Sequence, residues 1–176
     1  MYLASQKFEG DKAIRGAFLL TDLETKPIEF RCTNPIRPTQ LQTMLYGDIL
    51  RNHILIELIG EPLVRSVKET PDVILVTENE FLGMRPIVNI PIVVLAKDAQ
   101  IAAVSGEGNE FQMLNSASGR FEPIVFSTNT SFPDDKSLAN EILAGVFNKF
   151  DLIEPFTRIG SALEQVHLQK TGEAEA

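Results

Sequence analysis

The sequence predicts an α/β fold: a mixed sheet in a single layered domain, with helices packed against it. Three observations carry this prediction. Residues 72–77 contain the β-branched apolar run Val73, Ile74, Leu75 and Val76 with no polar alternation, as a strand covered on both faces requires. Ahead of it, Leu41, Met44, Leu45, Ile49, Ile56, Ile59, Leu63 and Val67 recur at threes, fours and their sums, the stripe of a 3.6-residue repeat. Late in the chain, Leu138, Ile142, Leu143, Val146, Phe147 and Phe150 form a second stripe, and Ile153, Phe156, Ile159, Leu163 and Val166 a third.

Residues 1–16 mix Lys7, Glu9, Asp11, Lys12 and Arg15 with few apolar side chains, which excludes the apolar core of a signal peptide. An apolar run over 14–20 and the alternating Ile28, Phe30 and Cys32 then predict an N-terminal antiparallel β-hairpin. Pro35 and Pro38 deliver the chain to a helix start, where Thr39 as N-cap and Gln42 at the third helical position form a capping box. The long or kinked helix spans 39–69. Pro62 lacks an amide hydrogen and presses on the carbonyl of Leu58, and Gly60 adds backbone freedom, so the break falls at 58–61. The stripe buries one face; Ile54 and Leu55 lie off it and are available to a partner.

The central strand 72–77 follows, with Thr77, Glu78, Asn79 and Glu80 leading into its carboxyl-end loop. In the next strand, over 87–96, Pro91 requires an edge position, a bulge or a late start at Ile92. Segments 101–104 and 111–114 flank a glycine-bearing turn and form a second hairpin, with helix the competing reading over 99–104. A strand over 121–127 precedes a C-terminal helical pair over 136–169. One domain covers 1–170, and 171–176, without a large apolar residue, is a disordered tail.

A chain of 176 residues can bury one substantial core. Its net charge of −8 argues against a nucleic-acid partner, because such affinity comes mainly from Lys and Arg neutralising phosphates. The lone Cys32 allows no intrachain disulfide and no cysteine zinc site, and it alternates onto the apolar face of its strand as inert packing. A reducing, cytoplasmic setting and a soluble chain follow, since no apolar run reaches the roughly 20 residues that cross a bilayer. His53 and His167 stand far apart on helices and are expected to be exposed or half-buried. Dinucleotide and phosphate loops and a nucleophile elbow are missing, so no metal and no cofactor is expected.

Two clusters carry chemistry of interest. Arg31, Asn34, Arg37, Thr39 and Gln40 gather at a helix start, whose free amides beside an arginine suit a phosphate or carboxylate. Glu78 and Glu80 after one strand meet Lys97 and Asp98 after another if the two strands are parallel neighbours, at the edge where ligands of open α/β sheets bind; carboxylates there suit Mg²⁺.

Three strings, Pro71-Asp72-Val73-Ile74-Leu75-Val76, Ile90-Pro91-Ile92-Val93-Val94-Leu95-Ala96-Lys97-Asp98 and Lys149-Phe150-Asp151-Leu152-Ile153-Glu154-Pro155-Phe156, resemble pieces of a response-regulator receiver domain. The resemblance implies a phosphate-accepting aspartate ending the central strand. This chain has Thr77 there and lacks the family's N-terminal acidic pair, so the family is not adopted.

No reaction is legible, and whether the chain is an enzyme stays open. The favoured expectation is a binding or assembly module that self-associates or takes a protein partner, with no nucleic acid and no membrane. The alternative is an enzyme or sensor for a small anionic ligand, seated at Arg37 and Thr39.

Overall fold

The structure, a computed structural model, describes residues 1–97 and 111–171. Its strands are β1 (Tyr2–Phe8), β2 (Ala13–Thr21), β3 (Pro27–Cys32), β4 (Ile74–Val76), β5 (Ile92–Lys97), β6 (Gln112–Leu114) and β7 (Ile124–Thr128). They form one mixed sheet in the order β3-β2-β1-β4-β5-β7-β6. β1, β2 and β3 are antiparallel, β4 runs parallel to both β1 and β5, and β7 returns antiparallel to β5. Asp98, the expected hairpin residues 101–110 and the tail from 172 lie outside the described residues.

The apolar run takes its expected place at the sheet centre, with β4 buried throughout and Asp72 exposed at its amino end. Ile74 and Val76 face one core cluster and Leu75 the other, as alternating side chains in a doubly covered strand must. β5 makes the late start at Ile92 that Pro91 requires, since a proline amide cannot donate to the ladder. The N-terminal hairpin is present as β2 and β3. β1, which sequence patterning left unassigned, is the strand that joins the hairpin to β4: the Met1 amine donates to Val73 O at 2.9 Å, and Leu75 N to Met1 O at 2.8 Å. Between β1 and β2 the backbone passes through Glu9, Gly10 and Asp11, all at positive φ, where only Gly10 escapes the Cβ penalty.

The 39–69 helix breaks earlier than expected. α1 (Gln40–Tyr46) ends at Gly47, whose φ of 53° favours glycine, and a 3-10 turn (Gly47–Ile49) and the short α2 (Leu50–Asn52) follow. From His53 to Gly60 the chain winds as a π-helix, with Glu61 N reaching back to Ile56 O, before α3 (Glu61–Ser66). The wider turn delivers the chain to Pro62, now early in α3, where its missing amide hydrogen costs nothing. This winding buries Ile54 and Leu55 in the core, correcting the expectation that they face a partner. The stripe also splits: Ile59 and Leu63 are buried, whereas Leu41, Met44, Leu45 and Ile49 stand exposed, so the face expected to pack does not.

The π-helical segment, α3 and a 3-10 segment (Asn79–Met84) cover one sheet face. α4 (Asp134–Phe147) and α5 (Glu154–Thr171) cover the other as the expected helical pair. Arg85 ties the layers together, donating to both carboxylate oxygens of buried Asp135 at 2.5 and 3.0 Å while its guanidinium lies 4.2 Å from the Phe132 ring. Far along α5, His167 is buried rather than exposed or half-buried. Its Nδ1 accepts from the equally buried Arg15 Nε at 3.1 Å, and its ring stacks on Phe8 at 4.2 Å.

The tightest approach of helix to sheet is at Gly16 of β2, where a Cβ would stand 2.0 Å from Ile59 Cγ2. Gly16→Ala therefore overpacks a closed contact and is expected to cost about 1–3 kcal/mol. Urea denaturation checks it, an unchanged midpoint contradicting the account.

Candidate functional site at the carboxyl edge of the sheet

β1 and β4 lie side by side and point the same way, but the chain leaves β1 toward β2 on one side and β4 toward β5 on the other. Between their carboxyl ends the connections diverge, which opens the crevice where open α/β sheets take ligands. Glu78 sits there, two residues beyond β4. Its Oε1 accepts from Ser5 N at 3.2 Å and Ser5 Oγ at 2.5 Å, and its Oε2 from Thr77 Oγ1 at 3.1 Å. Burial raises the Glu78 carboxyl above the ordinary carboxylate value, and the hydrogen bonds from Ser5 and Thr77 oppose it without cancelling it.

Next along this edge, Glu80 forms an ion pair with Arg51 of α2. Arg51 lines a cleft of about 480 Å³ together with Lys7 from the end of β1 and Lys12 from the turn after it. Lys7 is held by Asp11 at 3.0 Å, and Lys12 has no ion-pair partner among the described residues. Thr43, Gly47 and Asp48 bring α1 and its following turn to the rim of the same cleft. α1 buries none of its residues; Met44 and Leu45 are each 74% exposed. Burying a large aliphatic side chain contributes roughly 1.5–3 kcal/mol, so leaving Leu41, Met44, Leu45 and Ile49 in water forgoes a sum comparable to a domain's net stability.

The two sequence clusters fare differently. At the helix start, Thr39 Oγ1 accepts from Gln42 N at 3.2 Å while Gln42 Oε1 takes Thr39 N at 2.9 Å, so the capping box is closed and already satisfies those donors. Arg37 is engaged by Glu9, whose carboxyl it holds below the ordinary value, and Arg31 by Glu29 at 2.6 Å. Gln40 opens α1 on the surface, and Asn34 precedes Pro35 in the connection from β3. The seat imagined for an anion is thus filled from within the chain. At the strand ends, β4 and β5 are parallel neighbours, but Lys97 alternates onto the face of Val93 and Leu95, away from the face of Leu3 and Ser5 on which Glu78 is gripped. Among the described residues no three His, Cys, Asp or Glu side chains gather where a metal ion could sit.

Sequence reasoning missed Ser5, Lys7, Lys12 and Arg51. The available signal was the alternation of Leu3, Ser5 and Lys7 on one face of β1 with Tyr2 and Ala4 on the other.

No family model matches the chain, and no curated protein does so. Among solved structures it is similar to endonuclease V from Ciona intestinalis in complex with a 24mer DNA containing an inosine followed by a ribo-adenosine, at 11% identity and a TM-score of 0.44, over 94% of this chain and 86% of that one. A variant of the same enzyme with a 23mer DNA gives 12% identity and 0.41, over 82% and 76%. Likeness at this level assigns no activity. The expectation of no nucleic-acid partner rested on net charge alone, which averages over the whole surface and does not describe the local cations Lys7, Lys12 and Arg51, and it is withdrawn. With it go the self-associating or protein-binding module and the anion seat: Ile54 and Leu55 lie in the core, and Arg37 and Thr39 are occupied.

Because the folded value of Glu78 is raised, its neutral form contributes stability that is fully present below the ordinary carboxylate range and lost as pH rises through the elevated value. Glu78→Gln keeps an acceptor for Ser5 and cannot ionise. The wild-type minus variant difference in unfolding free energy should fall as pH rises above the ordinary carboxylate range; a flat difference in chemical denaturation contradicts the assignment.

Proposed function

We propose that the carboxyl-edge cleft binds a single nucleic-acid strand. One observation carries this reading: a cleft beside the end of β1 gathers Lys7, Lys12 and Arg51, with Asp11 and Asp48 also in its lining. A nucleic-acid strand offers an anionic backbone to these cations, while Leu41, Met44 and Leu45, exposed on α1 outside the cleft lining, suit its flat apolar base faces. An overall charge of −8 keeps the footprint small and local, with contacts to a few phosphates rather than a long tract. Among the described residues no helix is long and apolar enough to cross a membrane. The lone cysteine suits a reducing, cytoplasmic setting for such a protein.

Fluorescence anisotropy with labelled single-stranded DNA and RNA over a salt series tests the proposal. Each released phosphate counterion adds about −0.7 to the slope of log affinity against log salt for a single strand, so Lys12, which alone of the three has no ion-pair partner among the described residues, predicts a slope of at least about −0.7, steeper only where phosphate displaces Asp11 from Lys7 or Glu80 from Arg51. Lys12→Ala should reduce that slope by about 0.7, and Met44→Ser should weaken binding at every salt concentration without altering the slope. No saturable binding at low salt, or affinity indifferent to salt, overturns it.

A further inference from the structure

The opposite, amino-terminal edge of the sheet holds a second cleft of different chemistry. About 690 Å³ lies between the β2–β3 connection and the outer face of α4, and it continues into a pocket of about 220 Å³ that reaches Tyr2 and Leu75; Leu23, Asp72, Ile142 and Val146 line both. That size falls within the range of small-molecule sites. Its floor is apolar: Leu23 is 68% and Leu138 43% exposed, and Ile142, Val146 and Phe150 lie beside them.

The rim decides what suits this floor. Glu24, Asp72 and Glu141 converge on it from three separate parts of the fold, against Lys149 alone. None of the three exposed carboxylates forms an ion pair among the described residues; Asp72 also acts on the Met1 amine in the adjoining pocket, opposing the burial that lowers the pKa of that amine. We propose that this groove binds a small organic cation with an apolar body, an ammonium group carried on an aromatic or branched aliphatic frame. The frame covers the exposed floor, to which Phe150 adds aromatic surface, and the charge meets Glu24, Asp72 and Glu141 on the rim. Anions of equal size are rejected by the rim. The site is separate from the carboxyl-edge cleft and stands whether or not nucleic acid binds there.

Nuclear magnetic resonance titration of the full chain with benzyltrimethylammonium tests this, with phenylacetate and benzyl alcohol as anionic and neutral counterparts of similar shape. The cation should bind saturably and shift methyl signals of Leu23, Leu138 and Ile142, while phenylacetate shifts none of them. Asp72→Asn with Glu141→Gln should weaken binding about fivefold, and so should raised salt on the unaltered protein. Glu24→Gln, in an exposed connection, provides a milder second variant should the double variant unfold. Equal binding of all three probes, shifts confined to other regions, no saturable binding, or affinity unchanged in folded variants overturns the proposal.

Discussion

The junction between β1 and β4 holds the two halves of the sheet together, and it is short. Tyr2 is the single β1 residue in strand register with β4, at Leu75, reinforced by the backbone bond from Leu75 N to Met1 O. On one side of the seam lies an antiparallel meander, on the other the β5, β7 and β6 ladder. Such a seam lasts only because both its faces are covered: Leu3, Ile74 and Val76 under one helical layer, Tyr2 and Leu75 under the other. The hydrogen bonds from Ser5 to Glu78 extend the junction beyond the last registered pair, so the group that marks the candidate site also fastens the sheet.

The same topology separates two surfaces of opposite character. At the carboxyl edge the chain diverges, and cations from β1, its turn and α2 collect, with Asp11 and Asp48 among them, in a cleft that α1 and its following turn reach through Thr43 and Gly47. At the amino edge the β2–β3 connection folds toward α4, and carboxylates rim an apolar floor. Net charge describes neither surface, since it averages over both. An acidic chain can still present a local set of cations, because screening limits each field to roughly 8–10 Å.

What the sequence disclosed depended on whether a pattern reported burial or only periodicity. The run from Val73 to Val76 has no polar member, and a strand with no polar side to show must be interior; that inference led to the sheet centre. Thr39 with Gln42 and the late start at Ile92 were equally legible, because a capping box and a proline amide act locally. The α1 stripe misled for the complementary reason: a helical repeat says that apolar residues share a face but not that anything lies against it. β1 was lost among charges, since Lys7 sits at its solvent end and Glu9 just beyond it, while Tyr2 and Leu3 carry its burial. His167 and Ser5 were invisible because their partners, Arg15 and Glu78, are brought to them by the fold across 152 and 73 positions.

The π-helical segment from His53 to Gly60 has a consequence for how the molecule presents itself. Its hydrogen bonds skip five residues rather than four, so it holds more chain per turn than the helices around it. Each residue of an ordinary helix advances the winding by about 100°. Gly47, at φ 53°, turns α1 off that winding, so Met44 and Leu45 take their bearing relative to the sheet from a bend and a wide turn together. The aim of that helix is set where the two windings meet, with the Tyr46 ring of α1 resting 4.7 Å from the His53 ring.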